Sequence, residues 1–89
     1  MLPTAAASAS KYFKALADPK RLELLYLVSE QRQCSHDLAM AARITPATVT
    51  HHMKKLVEMG LVTRFREGKY TYYEVTSDFE TIDRIISEL

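Results

Sequence analysis

The helix-spaced residues from Ala47 to Lys55 carry the side chains of this chain best suited to recognition chemistry. Wound at about 100° per residue, the segment turns Val49, Met53, Leu56 and Val57 inward. Ala47, Thr48, Thr50, His51, Lys54 and Lys55 are left on the outer face. Short hydroxyl and imidazole groups near a helix N-terminus can approach base edges, alanine and threonine methyls can touch thymine, and lysines further along can neutralise phosphates. Any one of these residues alone reads more readily as a solvated helix face, and it is their combination that points to nucleic acid. His52 falls on the boundary, closer to the core. A second set lies downstream. Arg64 and Arg66 share strand parity and Lys69 follows the tight turn at Glu67-Gly68, so three cations can gather on one ribbon. Tyr70 and Tyr72 are possible phosphate donors, whereas alternation assigns Tyr73 and Val75 to the core.

These groups need elements to hold them. Thr45-Pro46 is a cap-then-proline signal opening the helix that carries the first set, which ends near Met59-Gly60. Before it, Ser35 to about Ala41 reads as a short helix, separated by the tight connection Ala42-Arg43-Ile44-Thr45. That spacing suits a helix-turn-helix with its second helix presented outward. Asp18-Pro19 repeats the cap signal and starts a core helix with Leu22, Leu24, Leu25, Leu27 and Val28. An alanine-rich helix over about residues 4–17, with Tyr12, Phe13 and Leu16, precedes it. Leu61 to Arg66 and Tyr70 to Val75 are rich in aromatic and β-branched residues and predict a hairpin. Ser77 and Glu80 form a capping-box pattern before a last amphipathic helix with Phe79, Ile82, Ile85, Ile86 and Leu89. The expected fold is mainly α with a β-hairpin wing: five helices, with the hairpin before the last.

At 89 residues and 47% apolar composition the chain is long enough for one core and too short for two, so residues 1–89 are expected to form a single winged helix-turn-helix domain. No apolar run approaches the roughly 20 residues of a membrane span, and the N-terminus lacks the basic start of a secretory signal, so a soluble, cytoplasmic protein is expected. A lone cysteine, Cys34, agrees with a reducing compartment. The net charge of +1 conceals a polarity. Residues 43–73 hold six basic side chains against Glu58 and Glu67, while residues 74–89 hold five acidic ones against Arg84 alone. The first segment suits phosphate and the second avoids it. No glycine-rich phosphate loop, credibly spaced carboxylate pair or partner that would make Cys34 a nucleophile is present, so neither an enzyme nor a cofactor is expected.

The chain resembles the ArsR-type winged-helix repressors over nearly its full length. The resemblance is carried by Phe13 to Leu22, by Asp37-Leu38-Ala39 through Thr48-Val49-Thr50-His51-His52-Met53-Lys54-Lys55-Leu56, by Gly60-Leu61-Val62, and by Glu67-Gly68-Lys69 through Tyr72-Tyr73. It implies a helix-turn-helix over 35–58, a wing over 61–75, and a homodimer built from helices 4–17 and 77–89 that places two recognition helices in successive major grooves of a palindromic operator. The interface would include Tyr12, Phe13, Phe79, Ile82, Ile85, Ile86 and Leu89. Independently, the Phe79 to Leu89 stripe has more large aliphatics than so small a core can absorb, and isologous pairing would bury the remainder. The DNA-contacting set implied is Arg43, Thr45, Pro46, Ala47, Thr48, Thr50, His51, Lys54, Lys55, Arg64, Arg66 and Lys69.

Two departures from the family pattern stand out. Many relatives bind arsenic, cadmium or zinc through Cys-Val-Cys-Asp-Leu, but here the segment reads Cys34-Ser35-His36-Asp37-Leu38. Cys34, His36 and Asp37 are the remaining metal candidates; an ordinary cysteine and a polar helix-start histidine are the favoured reading. In the turn, where relatives often have glycine, this chain has Arg43. A left-handed backbone there would cost roughly 1 kcal/mol relative to glycine, and a phosphate contact would explain the retention of arginine. The rival functional readings are a protein-interaction winged helix and the DNA-binding segment of a longer effector-sensing regulator.

Overall fold

The computed structural model describes residues 11–88. Within them, residues 11–16 are helical (α1), followed by α2 (Pro19–Glu30), β1 (Gln33–Cys34), α3 (Ser35–Ala42), α4 (Pro46–Glu58), β2 (Val62–Glu67), β3 (Tyr70–Val75) and α5 (Ser77–Ser87). The expected first-helix residues 4–10, and Leu89, lie outside the described residues.

Local chemistry sets most boundaries. Asp18 caps α2 by accepting from the backbone N–H of Lys20 at 2.9 Å and of Arg21 at 3.1 Å, and Pro19 supplies a first residue whose missing N–H costs nothing. The Arg21 amide above all holds the Asp18 carboxyl below its ordinary range. At the far end, the Gln33 side chain donates to the carbonyl of Leu27 in the last turn at 2.7 Å. α4 opens on Thr45, whose hydroxyl accepts from the Thr48 N–H at 3.2 Å, and closes on Gly60 at φ 77°. The Gly60 and Leu61 amides there bond back to Val57 and Leu56 at 2.9 and 3.1 Å, a Schellman stop that requires the left-handed backbone glycine tolerates.

α2 is the central element. Its Leu24, Leu25 and Val28 meet Leu38 of α3, Val49, Met53 and Leu56 of α4, and Leu61, Val62 and Tyr73 of the sheet in one buried cluster. Each such side chain withdrawn from water stabilises the fold by about 1.5–3 kcal/mol. Tyr73 is buried as strand alternation requires, and Val75 packs against the cluster's edge.

The sheet is antiparallel with order β1-β3-β2. Its hairpin is in the register Val62↔Val75 to Glu67↔Tyr70 around a two-residue turn, in which Gly68 takes φ 63°. The third strand, Gln33–Cys34 against Tyr73 and Tyr72, is an addition to the expected two-stranded wing, being too short to leave a periodic trace.

The start of α5 also departs from expectation. Its N-cap is Thr76, not Ser77, and no capping-box bond forms. The Thr76 hydroxyl instead donates to the Gly60 carbonyl at 2.5 Å, and its N–H to Leu61 at 2.9 Å, tying the helix entry to the strand entry. Phe79, expected at a pairing surface, is buried in the protomer's own core with its ring edge-on to Tyr26 at 5.7 Å, and is withdrawn from that set. The Tyr26 hydroxyl bonds to Asp83 on the same helix, and this bond, with burial, pushes the Tyr26 pKa up to about 12.

Candidate nucleic-acid interface

The turn between α3 and α4 positions the outer face of α4. Arg43 ends α3 in the left-handed region at φ 57° and ψ 46°, the one non-glycine residue among those described with positive φ. The conditional expectation from the glycine-to-arginine departure is met. The amides of Arg43 and Ile44 bond to Met40 and Ala39 at 3.3 and 3.0 Å, and Lys20 reaches from α2 to donate to the Ala42 carbonyl at 2.9 Å while pairing with Glu23. The sequence reading missed this use of Lys20. Its signal lies twenty-two residues upstream of the group it satisfies.

Replacing Arg43 with glycine is expected to relieve the left-handed strain, raising stability by up to about 1 kcal/mol and the Tm by about 4–8 °C per kcal/mol in a chain of this size. If the exposed guanidinium meets a phosphate, the same variant binds duplex DNA more weakly. Thermal unfolding and a binding isotherm on the one variant separate the two effects.

On α4, Ala47, Thr50, His51, Lys54 and Lys55 are exposed and Thr48 is half-buried, while Val49, Met53 and Leu56 are fully covered. Two of the hydroxyls have local partners: Thr48 Oγ shares a 2.9 Å hydrogen bond with Thr45, and Thr50 Oγ donates to the Pro46 carbonyl at 3.1 Å. Thr45, Pro46 and Arg43 are exposed beside them.

His52 is buried beneath this face at 7% exposure. Arg21 Nε–H donates to its Nδ1 at 3.4 Å, a contact that needs an unprotonated Nδ1, while another Arg21 nitrogen holds the Ala15 carbonyl at 2.8 Å. Desolvation lowers the His52 pKa from 6.5; Asp18 opposes this, and Arg21, His51 and Lys20 reinforce it. Because the folded pKa lies below the unfolded one, the unfolded chain binds more protons between the two values. Stability is therefore full above pH 6.5 and declines as pH falls through 6.5 towards the folded pKa. Urea midpoints should fall over that window for the parent chain, with a flatter profile for His52→Gln.

The wing brings its cations to the same side. Arg64 and Arg66, two strand positions apart, lie on the sheet face that carries Val62 and Tyr73, and both are exposed with Lys69 at the tip. Arg64 lines a cleft of about 350 Å³ together with Thr50, Lys54, Val57, Glu58 and Tyr73, so helix and wing border one concavity that sets two cations against one carboxylate. The opposite face of the wing is built differently. The Arg32 guanidinium stacks over Tyr72 at 4.9 Å and Phe65 at 5.6 Å and pairs with Glu67 at 2.7 Å. Tyr72 is therefore a packing residue stacked on Phe65, and Tyr70 is the exposed tyrosine, with the Lys69 ammonium over its ring at 5.5 Å. Arg32 had no motif to mark it, because the contact joins a loop to a strand pair more than thirty residues away.

The arsR-family model, described as a bacterial regulatory protein, matches residues 18–64, which take in the helix-turn-helix and the first half of β2. The arsenical resistance operon repressor of Bacillus subtilis (strain 168) is 35% identical over 77 residues, covering 85% of this chain and 71% of that protein. The chain belongs to the ArsR family. Among solved structures, NolR from Sinorhizobium fredii superposes with a TM-score of 0.82 at 25% identity, over 99% of this chain and 95% of that one. A homodimeric winged helix-turn-helix DNA-binding domain from Mycobacterium bovis gives 0.78 over 99% of this chain and 88% of that one; at 23% identity it speaks for the fold alone. The ArsR-family chain is thus a winged helix-turn-helix protein of a family of transcriptional regulators, not of enzymes.

The remaining metal candidates, Cys34, His36 and Asp37, are divided between buried and exposed positions. Cys34 is this chain's lone thiol and is buried where β1 meets α3, while His36 and Asp37 are exposed. Among the described residues, no three histidine, cysteine, aspartate or glutamate side chains converge. No helix among them is long and apolar enough to cross a membrane.

Proposed function

We propose that this ArsR-family chain is a dimeric, sequence-specific DNA-binding repressor acting in the cytoplasm as a single domain. The observation that carries the reading is the shared cleft of Thr50, Lys54 and Arg64, which brings a cation from the recognition helix and one from the wing to the same concavity, beside the Glu58 carboxylate. Thr48, Thr50, His51 and Ala47 read base edges; Lys54, Lys55, Arg43, Arg64, Arg66 and Lys69 hold phosphates, with Thr45 and Pro46 setting the approach of the helix N-terminus. Pairing uses Tyr12, Phe13, Ile82, Ile85, Ile86 and Leu89. Phe13 and Ile85 are 45% and 42% exposed, Tyr12, Ile82 and Ile86 are half-buried, and Tyr12 and Ile82 line one cleft, which leaves apolar surface for a second copy. Phe79 supports that surface from within.

Discrimination tests the assignment of roles. Thr48→Ala and His51→Ala are expected to lose about 1–3 kcal/mol of preference for a selected site over a scrambled duplex, while nonspecific affinity stays close to that of the parent. Equal losses on both duplexes would move these residues out of the base-reading set.

A further inference from the structure

A second basic cleft, of about 360 Å³, lies between α1 and α4, away from the wing. Lys11 and Lys14 approach it from α1, Arg21 from α2 and, from α4, Lys55, which the proposed function also assigns to DNA phosphate, against the single carboxylate of Glu58. Neither ion pair formed among the described residues involves any of the four cations. Arg21 is fixed from behind by the Ala15 carbonyl and His52, so its charge is held at the wall at little further entropic cost. Ala15 and Met59 also line the cleft, giving it apolar surface beside the charges.

We infer that this cleft binds a small organic anion, a carboxylate carrying an apolar body. Three net positive charges select the anion, and the Ala15 and Met59 surface selects the body; a bare phosphate would leave that surface uncovered. The volume is within the range of small-molecule sites. An occupant would bridge α1, which contributes Tyr12 and Phe13 to the proposed pairing surface, and α4, which carries the proposed base-reading residues. The cleft is therefore placed to couple subunit spacing to recognition; the coupling rests on the proposed function, whereas the binding does not.

The test is an NMR titration of the full chain with benzoate, with benzamide as its neutral counterpart and with inorganic phosphate, following the Ala15 and Met59 methyls and the His52 imidazole. Benzoate is expected to shift both methyls saturably and, by offsetting the Arg21 charge, to raise the His52 pKa. Benzamide should do neither, phosphate should bind at least fivefold more weakly than benzoate, and Lys14→Gln should weaken benzoate at least fivefold. Equal responses to benzoate and benzamide, the absence of saturable shifts, or phosphate binding as tightly as benzoate would overturn the inference. So would a Lys14→Gln variant that loses salt dependence in DNA binding while binding benzoate unchanged, since the cations would then serve backbone phosphate.

Discussion

Replacing Lys54 and Arg64 together with alanine is expected to weaken DNA binding by about three to four orders of magnitude at about 0.1 M salt. Each phosphate contact contributes about 0.9 to the slope of log affinity against log salt, which amounts to nearly tenfold in affinity at that salt. In a two-fold dimer the paired substitution removes four contacts, so the slope itself should flatten by about 3–4. The loss should be similar for a selected site and a scrambled duplex, because both side chains are assigned to phosphate. Both residues are exposed and form no ion pair among the described residues, so the folded chain should be undisturbed and its circular dichroism unchanged. A loss confined to the selected site would instead place Lys54 or Arg64 on base edges.

A substitution on the far side of the molecule should be as damaging without touching DNA. Ile85 is 42% exposed in the protomer, so arginine there meets water in a monomer. In the proposed dimer the same side chain is buried against its own copy, and an uncompensated buried charge costs about 3–5 kcal/mol. Ile85→Arg is therefore expected to weaken dimerisation by at least a factor of about a thousand, measured by sedimentation equilibrium, with little change in monomer fold. A palindromic site would then be bound by one half at a time, and affinity for it should fall to nearly that of an isolated half-site. A fully dimeric Ile85→Arg protein would remove α5 from the interface.

The helix-turn-helix was legible because its signals are local. Asp18-Pro19 and Thr45-Pro46 act within one turn of the residues they cap, and the Val49, Met53, Leu56 stripe is a property of one helix. The hairpin was legible for the same reason, since Gly68 sits where a two-residue turn needs a positive φ. What escaped was long-range. The two residues of β1 become a strand only because β3 lies beside them, and in place of the expected Ser77–Glu80 capping box the helix entry is Thr76, whose hydroxyl donates to a carbonyl sixteen residues away. Phe79 belongs to the same apolar stripe as Ile82, Ile85 and Ile86, and it is packing from distant elements, Tyr26 among them, that buries it. The outer face of α4 was readable from helical geometry alone. That Arg64 reaches the same cleft as Lys54, and that Arg32 braces the other side of the wing, depended on packing that no spacing encodes.

Selection of bound sites from a pool of random duplexes tests DNA recognition, symmetry and sequence preference at once. The expected outcome is enrichment of an inverted repeat whose half-sites lie one helical turn of about 10 base pairs, or a multiple of it, apart, bound with steep salt dependence. Recovery of no enriched sequence, together with a salt-independent complex with another protein that leaves duplex DNA unbound, would contradict it.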